Sequence, residues 1–364
     1  MTVELNTNGV IFPDSLQQST VSYSGFRNLI DNGDFRVDNK YDGTQVTYGG
    51  GTGYTVYQAQ DRWFGGGGNA ASTHTVALRR NALNFSDTEV TSNNALTLTC
   101  TTFASGDMRV GQRIEGVDCV RFAGKTMTFS YWINGSVAGA HTWAVYTPTT
   151  NDTWSNGISF SSGKTLVASG SLSTISSTPS LRTFQFTMPA LATAVKGIEI
   201  QIILTPTVIG QSFSISNVQL EVGSIRTPFE PKPYSYELER CARFLPSYWG
   251  YYYTSAGLAT AVQSLIALGL AKTGTTAEYM IPLKVPTRVP VTGFSAALAY
   301  PFIAYHFGGS SAAITGSVLT GSSERVITFS QTSIIAGSFL AGSAMRILMS
   351  SSTSQRMWFT GAEL

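Results

Sequence analysis

The chain has 364 residues, of which 43% are hydrophobic and 12% charged, and its formal net charge is +2. This apolar fraction excludes a disordered chain, and the small net charge without a Lys/Arg cluster excludes an electrostatic surface for nucleic acid. The longest apolar stretch, 265–271, is far below the ~20 residues of a membrane-spanning helix, so no membrane insertion is expected.

The first ten residues carry neither the basic segment nor the apolar run of a secretory signal, which predicts synthesis and folding in a cytoplasm. The three cysteines, Cys100, Cys119 and Cys241, are too few and too scattered for a disulfide framework. No C-x-x-C or His pair offers a zinc site. We therefore expect buried thiols, and neither a metal site nor a cofactor.

From about residue 26 the dominant period of the apolar residues is two, which is typical of half-buried β-strands. Each run alternates with Thr, Ser, Gln or Glu, and the connecting segments are rich in turn residues. The clearest runs are 96–100, 127–133, 184–188 and 198–204. The fold class predicted is all-β, with a jelly-roll β-sandwich over 26–233.

One segment, 234–246, has a helical pattern instead. Leu238, Cys241 and Leu245 follow the spacing of one helix face, and Pro246 ends it. The Pro-rich run 227–233 before it is a stiff connector. A short helical linker is therefore predicted between two domains.

The last segment, 247–364, is expected to form a smaller C-terminal β-sandwich. Only nine residues between 245 and 364 are charged, and none of them is Asp. A surface so poor in charge is prone to self-association. We expect this domain to bury much of its surface against copies of itself.

Several motifs occur together in one order. They are Asn28–Arg36, Asp61–Trp63, Gln112–Glu115, Gln219–Gly223, Thr227–Glu230, Glu237–Phe244 and Gly361–Leu364. This set resembles phage and prophage tail-fibre and receptor-binding proteins. The resemblance implies a virion protein, a homotrimer with a carbohydrate-binding-module-like jelly roll and a trimeric β tip. It also implies that residues 1–25 attach to other virion tail or baseplate proteins.

The expected trimer also predicts where the linker helix lies. A lone amphipathic helix in a β chain must bury its apolar stripe, so Leu238, Cys241 and Leu245 are predicted at the trimer interface.

The resemblance also implies a structural calcium ligand directly after Phe35, but this chain has Arg36 there. A cation repels calcium, so we predict an ion pair between Arg36 and Glu221 on the last strand. Calcium bound by Asp31, Asp34 and backbone carbonyls is the alternative.

Aromatic rings are the usual platforms for sugars. Trp132 lies opposite the apolar face of its strand and is predicted to point outwards, although burial on both faces of the strand is the alternative. The densest aromatic patch is the second candidate for a sugar platform, and the alternative is that it lies at the trimer interface. Its members are Tyr248, Trp249, Tyr251, Tyr252 and Tyr253. Neutral Ser, Thr and Asn side chains are expected to supply hydrogen bonds.

The function predicted is recognition of a host-surface polysaccharide by a phage tail fibre or short fibre, leading to adsorption. A decoration protein without receptor binding is the first alternative, and a polysaccharide depolymerase is the second. Cleavage requires two carboxylates beside the scissile bond. No acidic pair forms such a motif and the three histidines are isolated, so no catalytic residue is assigned and the chain is predicted not to be an enzyme.

Overall fold

A computed structural model divides the chain into two compact units, Met1–Glu237 and Leu238–Glu363. The residues that it describes are 4–6, 9–11, 17–18, 25–41, 43–49, 56–67, 75–82, 94–102, 106–136, 141–154, 163–172, 175–250, 265–296, 302–306, 311–333, 341, 343–349, 355–360 and 362. The boundary at 237 lies inside the predicted linker 234–246.

The first unit begins with a small antiparallel sheet in the segment predicted to attach to other proteins. Its three short strands are β1 (Glu4–Asn6), β2 (Gly9–Ile11) and β3 (Gln17–Gln18).

Two six-stranded antiparallel sheets make up the rest of this unit. The first has the order β13-β10-β15-β8-β7-β4, where β4 is Val46–Gly49, β7 Thr75–Ala82, β8 Asn94–Thr102, β10 Thr126–Gly135, β13 Ser180–Thr187 and β15 Ser212–Val222. The second has the order β12-β11-β14-β9-β6-β5, where β5 is Val56–Gln60, β6 Trp63–Gly67, β9 Met108–Ile114, β11 His141–Pro148, β12 Lys164–Leu172 and β14 Ile198–Leu204.

The alternating residues of both sheets meet in one core. Phe129 and Tyr131 of β10 are buried with Ile200 and Ile202 of β14, and Trp143 of β11 stacks on Phe184 with ring centroids 5.2 Å apart. Burial of this much apolar surface is the main stabilising term of the fold. The predicted jelly-roll sandwich is confirmed, and so is the all-β class.

Helices are few among the described residues. Two single turns, α1 (Gly116–Cys119) and α2 (Leu191–Ala194), lie in connections, with a 3₁₀ turn at Val120–Phe122. The longest is α3 (Tyr234–Phe244), which confirms the helix predicted after the Pro-rich run. No helix in the described ranges combines the length and apolarity needed to cross a membrane.

The apolar stripe of α3 needs a partial correction. Cys241 and Leu245 are each 1% exposed within the single chain, so neither is available as a contact between copies. Leu238 is half-buried and stays a predicted interface residue. All three cysteines are buried thiols, as expected, and none of them forms a disulfide.

The second unit is a closed six-stranded barrel with a three-stranded sheet. The barrel order is β17-β18-β22-β21-β20-β23, where β17 is Leu265–Ala271, β18 Thr276–Pro282, β20 Phe302–His306, β21 Ser311–Ser322, β22 Val326–Ser333 and β23 Ala344–Met349. The sheet order is β16-β24-β19, where β16 is Ser247–Gly250, β19 Gly293–Ala296 and β24 Gln355–Thr360.

The C-terminal β structure is therefore present, but its described strands form a barrel where a small sandwich was expected. β17 pairs with both β18 and β23, which closes the sheet. A period of two marks one buried face of a strand and is the same in a barrel and a sandwich.

Anchor network and candidate binding face

A buried group of four charged side chains lies where the N-terminal loop meets the segment before α3. We call Asp31, Arg62, Lys232 and Glu237 the anchor network. Arg62 Nε lies 3.0 Å from Asp31, and Lys232 Nζ lies 3.6 Å from Asp31 and 3.8 Å from Glu237. With two cations and two carboxylates, all almost fully buried, the network is balanced in charge.

Backbone hydrogen bonds complete the anchor network. Asn32 N–H donates to Glu237 Oε2 at 2.7 Å, and Lys232 Nζ donates to the Ile30 carbonyl at 2.6 Å. Arg62 Nη2 donates to the Arg113 carbonyl at 2.8 Å. Such bonds replace the lost hydration of buried charges. They also hold Asn32 and Arg62 at positive φ values of 52° and 73°, which cost energy in a non-glycine residue.

The motifs that carry the family resemblance meet at this network and beside it. Gln112 exchanges two hydrogen bonds with the backbone of Asp31, and Trp63 Nε1 donates to the Asn32 carbonyl at 3.0 Å. Asn28 N–H donates to Glu230 Oε2 at 3.0 Å. These signature residues tie the N-terminal loop and the Pro-rich segment to the sandwich.

The predicted ion pair between Arg36 and Glu221 is wrong. Arg36 contacts the Asp34 carboxylate and donates to the Lys232 carbonyl. Glu221 instead accepts from the Thr227 hydroxyl at 2.6 Å and the Thr227 amide at 2.8 Å. The segment after the last strand folds back and reaches Glu221 with neutral donors, which the sequence pattern did not indicate.

Two further carboxylates lie close to the anchor network. Asp38 accepts from the amides of Tyr41 and Gly43, and Asp61 accepts from the amide of Asn39 at 3.1 Å. Burial and the charge of Asp38 raise the pKa of Asp61 to about 7. Within the described ranges no three His, Cys, Asp or Glu side chains are grouped to hold a metal ion.

A second charged group lies on the outer face of the second sheet. We call Arg113, Lys164, Glu199 and Trp154 the face cluster. Arg113 Nε lies 2.7 Å from Glu199 Oε2, and Lys164 Nζ lies 2.8 Å from Glu199 Oε1 and 3.0 Å from Oε2. The three charged side chains are 0% exposed, yet they point away from the apolar core.

Strand register places the face cluster. Glu199 of β14 is opposite Arg113 of β9 and Tyr146 of β11, and Tyr146 is opposite Leu166 of β12. Directly opposite residues share one face of a sheet. The row therefore runs from buried Arg113 to Leu166, whose side chain is about half exposed.

Trp154 follows β11 and covers the two cations. Its ring centroid lies 5.3 Å from Arg113 Cζ and 5.8 Å from Lys164 Nζ, within the range of cation–π attraction. Trp154 is 7% exposed, and its Nε1–H has no hydrogen-bond partner among the described residues. On the neighbouring strand Phe64 contacts Arg113, and it fits only because Gly111 has no Cβ.

Burial and the neighbouring charges shift the pKa values of Glu199 and Lys164 in the face cluster. Burial by itself raises the pKa of Glu199, but Arg113 and Lys164 outweigh it and hold that pKa below its usual range. Burial lowers the pKa of Lys164 despite Glu199, and the charges of Arg113 and Arg109 add to the lowering. Glu199 is therefore ionised, while the ammonium of Lys164 is only partly compensated.

Of the predicted aromatic platforms, Trp132 lies on β10 of the other sheet. Trp132 is 7% exposed, so its prediction as an outward-pointing platform is wrong and the alternative, burial on both faces, is correct. Thr128 and Ser130 on the same outer face are buried as well. Tyr248 and Trp249 belong to β16, but their side chains are not described, and Tyr251, Tyr252 and Tyr253 lie outside the described residues.

Sequence reasoning missed Lys164 and Glu199 as site residues. The signal was the alternation in 198–204, where Glu199 and Gln201 interrupt five apolar residues. That pattern predicts a polar outer face, but it does not reveal which distant side chains meet Glu199.

No family model matches the chain, and no curated protein does. Solved structures match about half of it. The enzymatically active domain of bacteriophage CBA120 tailspike protein 4 is 14% identical over 54% of this chain, with a TM-score of 0.34, and the chain spans 22% of its length. A CBM4 structure is 14% identical over 53% of this chain and 99% of its own, with a TM-score of 0.33. A complex of TmCBM61 with β-1,4-galactotriose is 12% identical over 54% of this chain and 100% of its own, with a TM-score of 0.30.

Proposed function

We propose that this chain is a trimeric virion protein of the tail-fibre type whose β-sandwich binds a glycan on the host surface without cleaving it. The face cluster is the observation that carries the proposal. A tryptophan, two cations and a carboxylate are placed together on the outer face of a sheet, where core packing does not require them.

Glycan recognition suits this chemistry. An indole ring supports the apolar face of a sugar, and a few fixed polar groups determine which hydroxyls or substituents fit. The charged residues of the face cluster lie on β9, β14 and β12, which are joined through β11 in one sheet, so these groups keep their geometry before a ligand arrives. A rigid site loses little entropy on binding.

The virion and trimer parts of the proposal have separate support. The motif set resembles phage fibre proteins, and its residues build the anchor network and its surroundings. On the barrel of the second unit, Leu268 and Met280 are cross-strand neighbours and both are exposed, as is Leu270. Exposed apolar residues on a charge-poor surface favour contact with further copies. Light scattering should give three times the 39.0 kDa chain mass.

The proposed binding is tested with the purified chain on a panel of bacterial surface polysaccharides. Trp154→Ala should abolish retention, whereas Tyr234→Ala, which removes an exposed ring elsewhere, should leave it unchanged. Retention that survives Trp154→Ala would remove the face cluster from the proposal. No retention of the intact protein by any member would favour a decoration protein, and release of oligosaccharide would identify an enzyme.

A further inference from the structure

Four large apolar side chains lie on the outer face of the barrel in the second unit. The inner positions of its strands are already filled, since Tyr279 of β18 stacks on Phe329 of β22 with ring centroids 5.6 Å apart and both are buried. Residues at the alternate positions point away from this core. Among them are Leu268 and Leu270 of β17, Met280 of β18 and Val318 of β21, each between 58% and 65% exposed. We call these four residues the barrel patch.

Strand register joins the barrel patch into one surface. Leu268 is directly opposite Met280 on the neighbouring strand, and directly opposite residues share one face of a sheet. Glu278 lies on the same face as Met280, because alternate residues of a strand do. Ser330 of β22 is opposite Glu278 and is also opposite Val318 of β21. The patch therefore extends over four neighbouring strands of the barrel.

Charge is almost absent from the strands of the barrel patch. Among the residues of β17, β18, β21 and β22, Glu278 is the only charged one. Lys272 Nζ donates to Glu278 Oε1 at 2.9 Å, which balances that carboxylate within the chain. Arg346 of β23 is opposite Leu268 and marks the border of the patch. An apolar centre with polar residues at its rim is the usual composition of an interface.

We propose that the barrel patch is the centre of the contact between copies of this chain. The inference rests on the trimer in the proposed function and specifies which surface joins its members. Four side chains of this exposure present a few hundred Å² of apolar surface, the size that marks an interaction site on a soluble protein. A specific interface buries about 800 Å² on each partner, so the patch supplies its apolar core and the neutral residues around it supply the remainder.

A second copy is the occupant that the charge pattern favours. Only nine residues between 245 and 364 are charged, so copies of the second unit meet with little like-charge repulsion. A partner recognised through ion pairs would find the carboxylate of Glu278 already engaged by Lys272. Thr328 and Ser330, which alternate on β22 beside the apolar side chains, are neutral, so their burial requires no counter-charge.

The test compares matched substitutions to lysine in the full-length protein. Leu268→Lys places a charge within the barrel patch, whereas Ile225→Lys places one at a similarly exposed apolar residue of the first unit. Light scattering after size exclusion should give the trimer mass for wild type and for Ile225→Lys. The mass of Leu268→Lys should be about threefold lower, because its ammonium would be buried in the contact without a partner. Circular dichroism of all three proteins should be the same.

Thiol labelling decides the matter if Leu268→Lys does not fold. The natural cysteines are at most 1% exposed, so a cysteine introduced at the surface reacts selectively with a maleimide. In the assembled protein Leu268→Cys should be labelled about tenfold or more slowly than Ile225→Cys, because the neighbouring copy covers it.

The outcomes separate this inference from the proposed function. A monomeric wild-type protein overturns both the trimer and the contact at the barrel patch. A trimer that survives Leu268→Lys, or in which the thiol introduced at position 268 is labelled as fast as the one at position 225, overturns the contact alone. An oligomer of another size that Leu268→Lys dissociates supports the contact and overturns only the number of copies.

Discussion

The anchor network and the face cluster are both buried groups of charged side chains in one β-sandwich. They differ in the number of cations for each carboxylate. The anchor network has two cations for two carboxylates and is joined to backbone groups of the N-terminal loop. The face cluster has two cations for one carboxylate and an indole N–H without a partner among the described residues.

This difference distinguishes a structural from a recognition role. Burying charge is costly, and a network that exists only to hold a fold satisfies all of its members. The anchor network does so, and it contains the signature residues at the N-terminal loop. The face cluster leaves the Nε1–H of Trp154 without a partner among the described residues, which is consistent with the binding role that we propose for it.

The largest effect should come from Glu199→Gln. Glutamine carries no negative charge, so Arg113 and Lys164 both lose the buried carboxylate that they share. Unfolding by denaturant should show a loss of about 3–5 kcal/mol. Glu278→Gln, at a partly exposed ion pair of the second unit, is the control and should cost about 0.5 kcal/mol or less. A loss of that small size for Glu199→Gln would mean that the cluster is not coupled as described.

A pH dependence should follow from Asp61 beside the anchor network. Its folded pKa is raised from 3.8 to about 7, so the folded state binds the proton more tightly than the unfolded chain. Stability from this group is therefore present below pH ~4 and is lost as pH rises through about 7, by up to roughly 4 kcal/mol at about 1.4 kcal/mol per pKa unit.

Asp61→Asn should flatten this pH dependence and should make the protein more stable than wild type at pH 8. Thermal unfolding between pH 4 and pH 8 measures both effects. The exposed Glu239→Gln should leave the profile unchanged. An unaltered profile in Asp61→Asn would show that Asp61 does not cause the pH dependence of stability.

A smaller loss is expected for Asp31→Asn in the anchor network. Arg62 loses its carboxylate, but Glu237 remains beside Lys232, and asparagine still accepts a hydrogen bond. The loss should be about 3 kcal/mol in chemical unfolding. Glycan binding measured on the folded protein should stay at the wild-type level. A selective loss of binding would contradict a purely structural role for the anchor network.

The smallest effect on stability should come from Lys164→Met. Removing Lys164 leaves Arg113 paired with Glu199, and the methionine keeps most of the apolar stem of the lysine. The free energy of unfolding should change by about 1 kcal/mol or less. A loss as large as that of Glu199→Gln would show that Lys164 is required for the fold.

The fold was largely predictable, because alternation in 127–133 and 198–204 and the helical spacing around Cys241 depend on local patterns. The closed barrel was not, since closure depends on which strand pairs with β17. Trp132 had the parity of an outward residue, yet a covered outer face buried it.

The site was predictable only in its residue types. Glu199 is visible as a polar residue in an apolar strand, but its partners Arg113 and Lys164 are 86 and 35 residues away. Contacts over such separations depend on strand order and register, which a single sequence does not specify. The motif residues, in contrast, were singled out from the sequence, and in the structure they have a structural role at and beside the anchor network.

The most direct measurement is the indole N–H spectrum of the protein labelled with ¹⁵N-tryptophan, recorded while a polysaccharide from the binding panel that the protein retains is added. The chain has six tryptophans, and Trp154→Phe assigns the signal of Trp154. The account predicts that this signal shifts most and that the signals of buried Trp63 and Trp132 stay in place. A bound state in which the Trp154 signal is unmoved while that of Trp249 shifts would contradict it and would place recognition in the second unit.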